Sequence, residues 1–311
     1  MGEADKKVLT GIIYQAVAGF YYVWSNGQSY TTKPRGNFRH QKLKPLVGDY
    51  VQFEMDLEDD TSVGRIFKME PRKNRLLRPP IANVDYALLM LSLKEPDFSY
   101  NLLDHFLVLL ESYKIKPIIL LSKVDLLKES ISPQKAEERI QEIMTLYQNI
   151  GYSVIALDRT GQDDLSPLID IIHDGVYVVI GQSGVGKSTL LNRLIPNLEL
   201  ETSAISQSLN RGRHTTRQVS LYAYKDGLIA DTPGFSSISY DHLSLENLSL
   251  CFPEIKEASY GCRFSTCVHL NEPHCHVKSM VGEGQIAVSR YQNYVSLYQK
   301  LAERPKNYNR K

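Results

Sequence analysis

From about Val8 to Met69, apolar and β-branched residues come in short runs, VLTGIIYQAVAGFYYVW, LVGDYVQFEM and SVGRIFKM, cut by turn signals such as Asn26-Gly27 and the acidic cluster Glu58 to Asp60. Short runs with that punctuation predict the strands of a small antiparallel β-barrel. After Arg78-Pro79-Pro80 the pattern lengthens and alternates. Val84 to Leu93 reads as a buried strand, Asn101 to Ser112 as a helix, and Pro117 to Ser122 as a second strand. A helix follows over Pro133 to Gln148, with Ile140, Ile143, Met144 and Tyr147 on one face, then a strand at Tyr152 to Leu157 and a helix near Leu165 to Ile172. Val176 to Ile180 is a continuous apolar run, as a strand covered on both faces requires. Strands alternating with helices predict a doubly wound α/β arrangement, a mostly parallel sheet whose ligands sit at the strand carboxyl ends. Beyond Asp231 the pattern is helical, and Gly284 to Glu303 sets Ala287, Tyr291, Tyr294, Val295, Tyr298 and Leu301 at helical spacing, a packing stripe.

The chain of 311 residues is too long for one ordinary core and suits two or three domains. With 36 Lys and Arg against 35 Asp and Glu its net charge is +1, so no global field draws it to nucleic acid and any such contact must be local. Three local patches stand out. Lys33, Arg35, Arg39, His40, Lys42 and Lys44 surround Phe38, and Arg72, Lys73, Arg75 and Arg78 follow the last barrel run. The tail carries Arg290, Lys300, Arg304, Lys306, Arg310 and Lys311 against Glu303 alone. Charge beside an exposed Phe38 ring on a barrel would suit phosphate contacts plus base stacking, and basic ends on both sides of a neutral chain suit a protein that straddles folded RNA. The polar start MGEADKKVLT has no signal-peptide core, Lys6 stands where acylation would want Ser or Thr, and no stretch is long enough to span a membrane. A cytosolic protein is expected. Its four cysteines, three of them between Cys262 and Cys275, do not look like a disulfide framework.

The chemistry concentrates in VYVVIGQSGVGKSTLLNRL. Gly181 to Ser188 spells G-x-x-x-x-G-K-S between a strand and a helix, so Gly181, Gln182, Ser183, Gly184, Val185 and Gly186 would wrap backbone N–H groups around phosphate oxygens. Lys187 would bring a point charge to the outer phosphates, Ser188 a hydroxyl to a magnesium ion, and Thr189 opens the helix whose positive end faces the anion. Upstream, at the end of KPIILL, stands Ser122-Lys123-Val124-Asp125. The Asp125 carboxylate can accept two hydrogen bonds from guanine that adenine cannot offer, and Lys123 can lay its methylenes along the base. Downstream, Asp231-Thr232-Pro233-Gly234 offers Asp231 to magnesium through water and the Gly234 N–H to a γ-phosphate. In Gly212-Arg213-His214-Thr215-Thr216, Thr216, or failing it Thr215, could complete the magnesium shell only while the γ-phosphate is present. Together these segments read as a GTP switch rather than a P-loop kinase.

The order is unusual, because the base reader precedes the phosphate loop. In this the chain resembles the circularly permuted GTPases of bacterial ribosome assembly of the RsgA (YjeQ/YloQ) type, through RGNFRH, LVGDYV, PRKNRLLRPPIANVD, GQSGVGKSTLLN, GRHTT, DTPGF and the C-terminal cysteines. The resemblance implies a multidomain α/β protein: an N-terminal OB-fold β-barrel (1–72), a circularly permuted P-loop GTPase domain (73–240) and a C-terminal helical zinc-binding domain (241–311). It further implies GTP and GDP with Mg2+ as cofactors, and hydrolysis stimulated by the small (30S) ribosomal subunit and its 16S rRNA during late maturation, by a monomer with no membrane partner. The alternative is a nucleotide-gated rRNA-binding module with incidental hydrolysis. Ser122 stands where the family often has Asn, and Ile155-Ala156-Leu157-Asp158 stands where a Ser-Ala base contact is usual. Phe235 occupies the place of the water-orienting glutamine, and the resemblance points to His214 as the catalytic group instead. Three thiolates and an imidazole, Cys262, Cys267, His269 and Cys275, match the family's zinc ligands and make a closed structural site, with His274 and His276 as flanking substitutes. Cys251 stands apart as a packed thiol.

Overall fold

The computed structural model describes residues 6–36, 38, 43–56, 63–158, 164–195, 219–231 and 240–304. The chain divides into two compact units, Met1–Met90 with Asp158–Ser236, and Leu91–Leu157 with Ser237–Lys311.

The first unit opens with five strands: β1 (Lys6–Val17), β2 (Phe20–Ser25), β3 (Gln28–Pro34), β4 (Tyr50–Asp56) and β5 (Gly64–Met69). Asn26 and Gly27, both at positive φ, make the tight β2–β3 turn that Asn-Gly predicts, because its mirror-image geometry matches the strand twist. Strand order β1-β2-β3-β5-β4 closes where β1 pairs again with β4, and β3–β5 is the one parallel pairing in the ring. Alternation points Ile13, Val23, Val51, Phe53 and Ile66 inward, where each is fully buried.

A short hairpin of β6 (Arg75–Leu77) and β7 (Pro80–Ala82) leads to β8 (Tyr86–Ser92). Here β8 and β13 (Gly227–Asp231) run parallel on either side of β11 (Val176–Gly181), and β12 (Ser220–Tyr224) returns antiparallel to β13. All six residues of β11 are buried, as its unbroken apolar run required.

The junction is held by polar bonds. Arg72 grips the buried Asp49 carboxylate through Nε and Nη2, both at 2.7 Å. The Asn74 amide brackets Val84, and Asn83 donates to the Gly48 carbonyl at 2.9 Å.

The second unit holds β9 (Lys116–Ser122) and β10 (Ser153–Ala156), paired parallel, with helices α1 (Tyr100–Ser112), α2 (Val124–Ser130) and α3 (Pro133–Ile150). Ser99 caps α1 by accepting from the Leu102 N–H, and Gly151 at φ 106° ends α3 in a left-handed turn. In the first unit, α4 (Ser166–Ile169) is a single turn where the sequence predicted a longer helix to Ile172, and α5 (Lys187–Leu194) follows the glycine-rich loop. The C-terminal part adds α6 (Pro253–Ser259), α7 (His276–Gly282) and α8 (Val288–Ala302) to the second unit. The α8 packing stripe holds at Tyr294 and Leu301, but its other buried members are Leu297 and, unexpectedly, Arg290.

Arg290 corrects the reading of a basic tail. Its side chain is 1 % exposed and is paired with Asp104 and Glu254, so it offers no charge to a partner. Arg304 is also engaged, donating to the Tyr240 carbonyl at 2.8 Å, while Lys306, Arg310 and Lys311 lie outside the described residues. The patch around Phe38 changes as well: the ring is 5 % exposed and cannot stack on a base. An aromatic flanked by basic residues in sequence looks exposed, but nothing local reveals that the ring is buried. Arg35 pairs with Glu54 and Lys73 with Asp85, whereas Arg39, His40 and Lys42 lie outside the described residues.

Candidate functional site

In the first unit the carboxyl end of β11 runs straight into the glycine-rich loop. Gly181 sits opposite Met90 of β8, and a Cβ there would stand 2.2 Å from the Met90 carbonyl oxygen, so only glycine lets the strands stay paired as the chain turns. Gly184 and Gly186 both take positive φ, the latter immediately before α5. Val185 is buried and anchors the loop. Ser183, Ser188 and Thr189 are exposed, and Gln182 is half-buried. Lys187 folds back so that its ammonium donates to the carbonyls of Gly181, at 2.8 Å, and Gln182. Partial burial lowers its pKa, and the ammonium stands where it could pair with an anion held by the loop.

Asp231 closes β13 on the same edge. The pairing of Val178 with Ala230 sets it beside Val179, two residues before the loop begins, and burial raises its carboxyl pKa. A half-buried acid at the carboxyl end of the strand next to a phosphate loop, with Ser188 exposed in the first turn of α5, gives the hard oxygen donors magnesium takes. Gly212, His214, Thr215, Thr216, Gly234 and Phe235 lie outside the described residues.

In the second unit Ser122 ends β9, buried, with its Oγ 3.3 Å from the Leu91 carbonyl. Lys123 takes a left-handed conformation (φ 60°) that turns strand into helix, and its Nζ donates to the Glu95 carbonyl. Val124 donates its N–H to Leu157 at 3.2 Å, and the Leu157 N–H reaches Leu121 at 2.7 Å. The K-x-D turn is thereby fixed to the segment after β10. Asp125 lies half-buried in the first turn of α2.

The cysteine cluster of the same unit is compact. The donor atoms of Cys262, Cys267, His269 and Cys275 all lie within 4.8 Å of one another. Cys262 Sγ is 3.9 Å from Cys275 Sγ, and each of these sulfurs is 3.6 Å from His269 Nδ1. Zinc bonds of about 2.3 Å to sulfur and 2.0 Å to nitrogen give tetrahedral edges of about 3.8 Å (S···S) and 3.5 Å (S···N), so the donor set fits zinc. His274 and His276 are exposed and stand outside this group. Supporting contacts went unforeseen: Tyr291 and Tyr294 donate to the carbonyls of His269 and Val268, each at 2.7 Å, and the Glu272 carboxylate accepts from the N–H groups of Val268 and Leu270. Burial lowers the His269 pKa, favouring the neutral ligand form, and holds the Cys267 thiol up at about 12, which a dication would reverse. Cys251 is buried with its thiol pushed up to about 12, as expected of a packed residue.

The RsgA GTPase family model matches residues 69–241, and the RsgA N-terminal domain model matches residues 10–63. The chain belongs to the RsgA GTPase family. It is 46 % identical over 301 residues to a Listeria monocytogenes protein named small ribosomal subunit biogenesis GTPase RsgA 2, covering 97 % of this chain and 100 % of that one. A Streptococcus agalactiae protein named small ribosomal subunit biogenesis GTPase RsgA is 48 % identical over 300 residues, covering 96 % and 98 %. Among solved structures, YloQ, described as a circularly permuted GTPase, superposes with TM-score 0.82 at 39 % identity, covering 97 % of this chain and 98 % of that one. YjeQ from Thermotoga maritima gives 0.81 at 31 %, covering 96 % and 100 %. Family membership makes the chain a GTP-hydrolysing enzyme of the circularly permuted kind: a five-strand barrel, a mixed α/β GTPase fold, and a Cys3His cluster near the C-terminus. Among the described residues no helix is long and apolar enough to cross a membrane.

Proposed function

We propose that this GTPase binds the immature small (30S) ribosomal subunit through its 16S rRNA, hydrolyses GTP to GDP at a rate the subunit stimulates, and then leaves. The observation that carries this reading is similarity over nearly the whole chain to proteins named for small-subunit biogenesis, joined to a phosphate loop shaped by Gly181. Gly181 to Thr189 would hold the phosphates, and Asp125, with Ser122 and Lys123 beside it, would select guanine. Ser188 and Thr216 would ligate magnesium, which neutralises charge on the transferring phosphoryl group, with Asp231 acting through water and the Gly234 N–H contacting the γ-phosphate. Phe235 cannot orient water, so His214 takes that role when the subunit is bound.

Residues 1–72, 73–240 and 241–311 would serve as RNA-binding barrel, GTPase and zinc-binding modules. Cys262, Cys267, His269 and Cys275 would hold one structural zinc, leaving no open position for hydrolysis. The protein works as a cytoplasmic monomer.

Turnover is to be measured with and without purified small subunits, for wild type and His214→Ala. Strong stimulation that the variant loses while keeping GTP affinity is expected. Equal rates with and without subunits, alongside nucleotide-dependent RNA binding, would leave only an RNA-binding module.

A further inference from the structure

β1 changes partners along one edge. From Lys6 to Ile12 it pairs with β4, where Ile12 stands opposite Tyr50. Just beyond, the Ile13 N–H donates to the Asp49 carbonyl at 2.9 Å, and the Ile13 carbonyl accepts from the Gly48 N–H at 2.8 Å. A bulge follows between Ile13 and Gln15, and Gln15 then pairs antiparallel with Ser220 of β12. The barrel is thereby joined to the GTPase sheet inside the first unit.

Ser220 also pairs with Asp231, at the end of a ladder that runs from there to Tyr224 and Gly227. On its other edge β13 pairs with β11 only as far as Ala230. Among the described residues Asp231 therefore has one ladder partner, Ser220, and behind Ser220 stands Gln15. The opposite end of the β12–β13 hairpin is fastened elsewhere. There the Leu228 N–H donates to the Gly175 carbonyl at 2.9 Å, and the Lys225 ammonium to the Ile169 carbonyl at 2.8 Å. The end that carries Asp231 is the end that depends on the barrel. A strand that only protected the β12 edge would pair along it, whereas β1 pairs with it at Ser220.

Directly opposite residues of neighbouring strands project their side chains from one face of a sheet, so Gln15, Ser220 and Asp231 form a row across three strands. Strands lie about 4.8 Å apart, which puts the Gln15 backbone about 10 Å from that of Asp231. All three residues are half-buried, while Val219 and Leu221, on either side of Ser220 in sequence, are buried.

We infer that Gln15 and Ser220 are positioning residues for GTP hydrolysis: their rung ties the barrel to Asp231 and sets how firmly this carboxylate is held for magnesium. The inference rests on the magnesium role proposed for Asp231. It makes the barrel part of the hydrolytic apparatus, because a load on β1 reaches Asp231 through a single residue of β12.

Charge placed on the rung separates this from plain electrostatics. Like charges on directly opposite residues push an antiparallel pair apart, and opposite charges hold it together. Full-length Gln15→Glu/Ser220→Glu is compared with Gln15→Lys/Ser220→Glu. Acting through space, Gln15→Glu would strengthen the binding of a dication and Gln15→Lys would weaken it. Acting through the rung, the order reverses. Calorimetry of the GDP complexes should show magnesium held about threefold more weakly by Gln15→Glu/Ser220→Glu than by Gln15→Lys/Ser220→Glu. Without nucleotide or metal, the β12 amides of Gln15→Glu/Ser220→Glu should exchange hydrogen faster. GDP affinity in EDTA should be equal in the two proteins, since neither change touches the phosphate loop.

The opposite order of magnesium affinities, or no difference between them, would overturn the inference whether or not exchange in β12 changes. Asp231→Asn is measured alongside. Should it lose magnesium affinity while the paired variants do not differ, the inference falls and the role of Asp231 stands. Should it bind magnesium as the wild type does, both fall.

Discussion

Replacing Arg290 with Met tests the buried ion cluster of the second unit. Arg290 Nη1 donates to Asp104 at 2.6 Å, and Nε and Nη2 donate to the two Glu254 oxygens at 2.7 and 3.1 Å. Its guanidinium also lies 4.6 Å from the Phe252 ring centroid. Asp104 takes further bonds from Tyr147 (2.8 Å) and Asn293 (2.6 Å), so it keeps two donors when Arg290 is lost, while Glu254 loses both from Arg290. The carboxylates raise the Arg290 pKa despite its burial, so the guanidinium stays charged at every pH of interest. Methionine fills much of the volume but leaves the buried Asp104 and the half-buried Glu254 without a counter-charge, which costs about 3–5 kcal/mol. Urea unfolding at fixed zinc concentration should show a lower midpoint with an unchanged slope. Adding Asp104→Asn and Glu254→Gln to Arg290→Met should recover part of the loss, because the uncompensated charge disappears although more contacts are altered. A loss under about 1 kcal/mol in the single variant, or no recovery in the triple, would refute the reasoning.

Gly181→Ala should distort the β8–β11 pairing, because the new methyl meets a backbone carbonyl that cannot swing aside. A loss of about 2–3 kcal/mol in thermal unfolding, with weaker GTP affinity by calorimetry, is expected. Burial raises the Glu111 carboxyl pKa, with Tyr152 donating to it at 3.1 Å. Since the folded state binds that proton more tightly than the unfolded chain, the group's contribution is full below the unfolded pKa and is lost as pH rises through the raised folded value. Glu111→Gln, which keeps the acceptor, should therefore be at least as stable as wild type at pH 7 and show a flatter pH dependence of denaturation midpoints above the ordinary carboxylate range. Cys275→Ser should lower the zinc content measured on the purified protein and unfold the region around α7, since such a site supplies on the order of 10 kcal/mol to a small fold. Full zinc content in that variant would exclude Cys275 as a ligand.

What the sequence determined by itself were features written in contiguous residues. Gly181 to Ser188 announces a phosphate loop because the turn needs glycine at set positions between a strand and a helix, and every part of that signal is local. Asn26-Gly27 and the alternating runs fixed the barrel strands for the same reason, and the spacing of Cys262, Cys267, His269 and Cys275 survives as a cluster because one short loop carries all four. Tertiary structure alone decided where charge and aromatic surface ended up. Arg290 counted as part of a basic tail until Asp104 and Glu254, distant in sequence, closed around it, although its place seven residues before Leu297 on the buried stripe was a signal. Phe38 looked exposed among basic neighbours and is buried, while Tyr22 and Trp24 looked like ordinary strand residues and face outward. Alternation divides a strand into two faces but does not say which one the barrel encloses, and an ion pair between remote segments leaves no periodic trace. Those outcomes depend on which strands close the ring and which helices pack together, and no local stretch of chain encodes that.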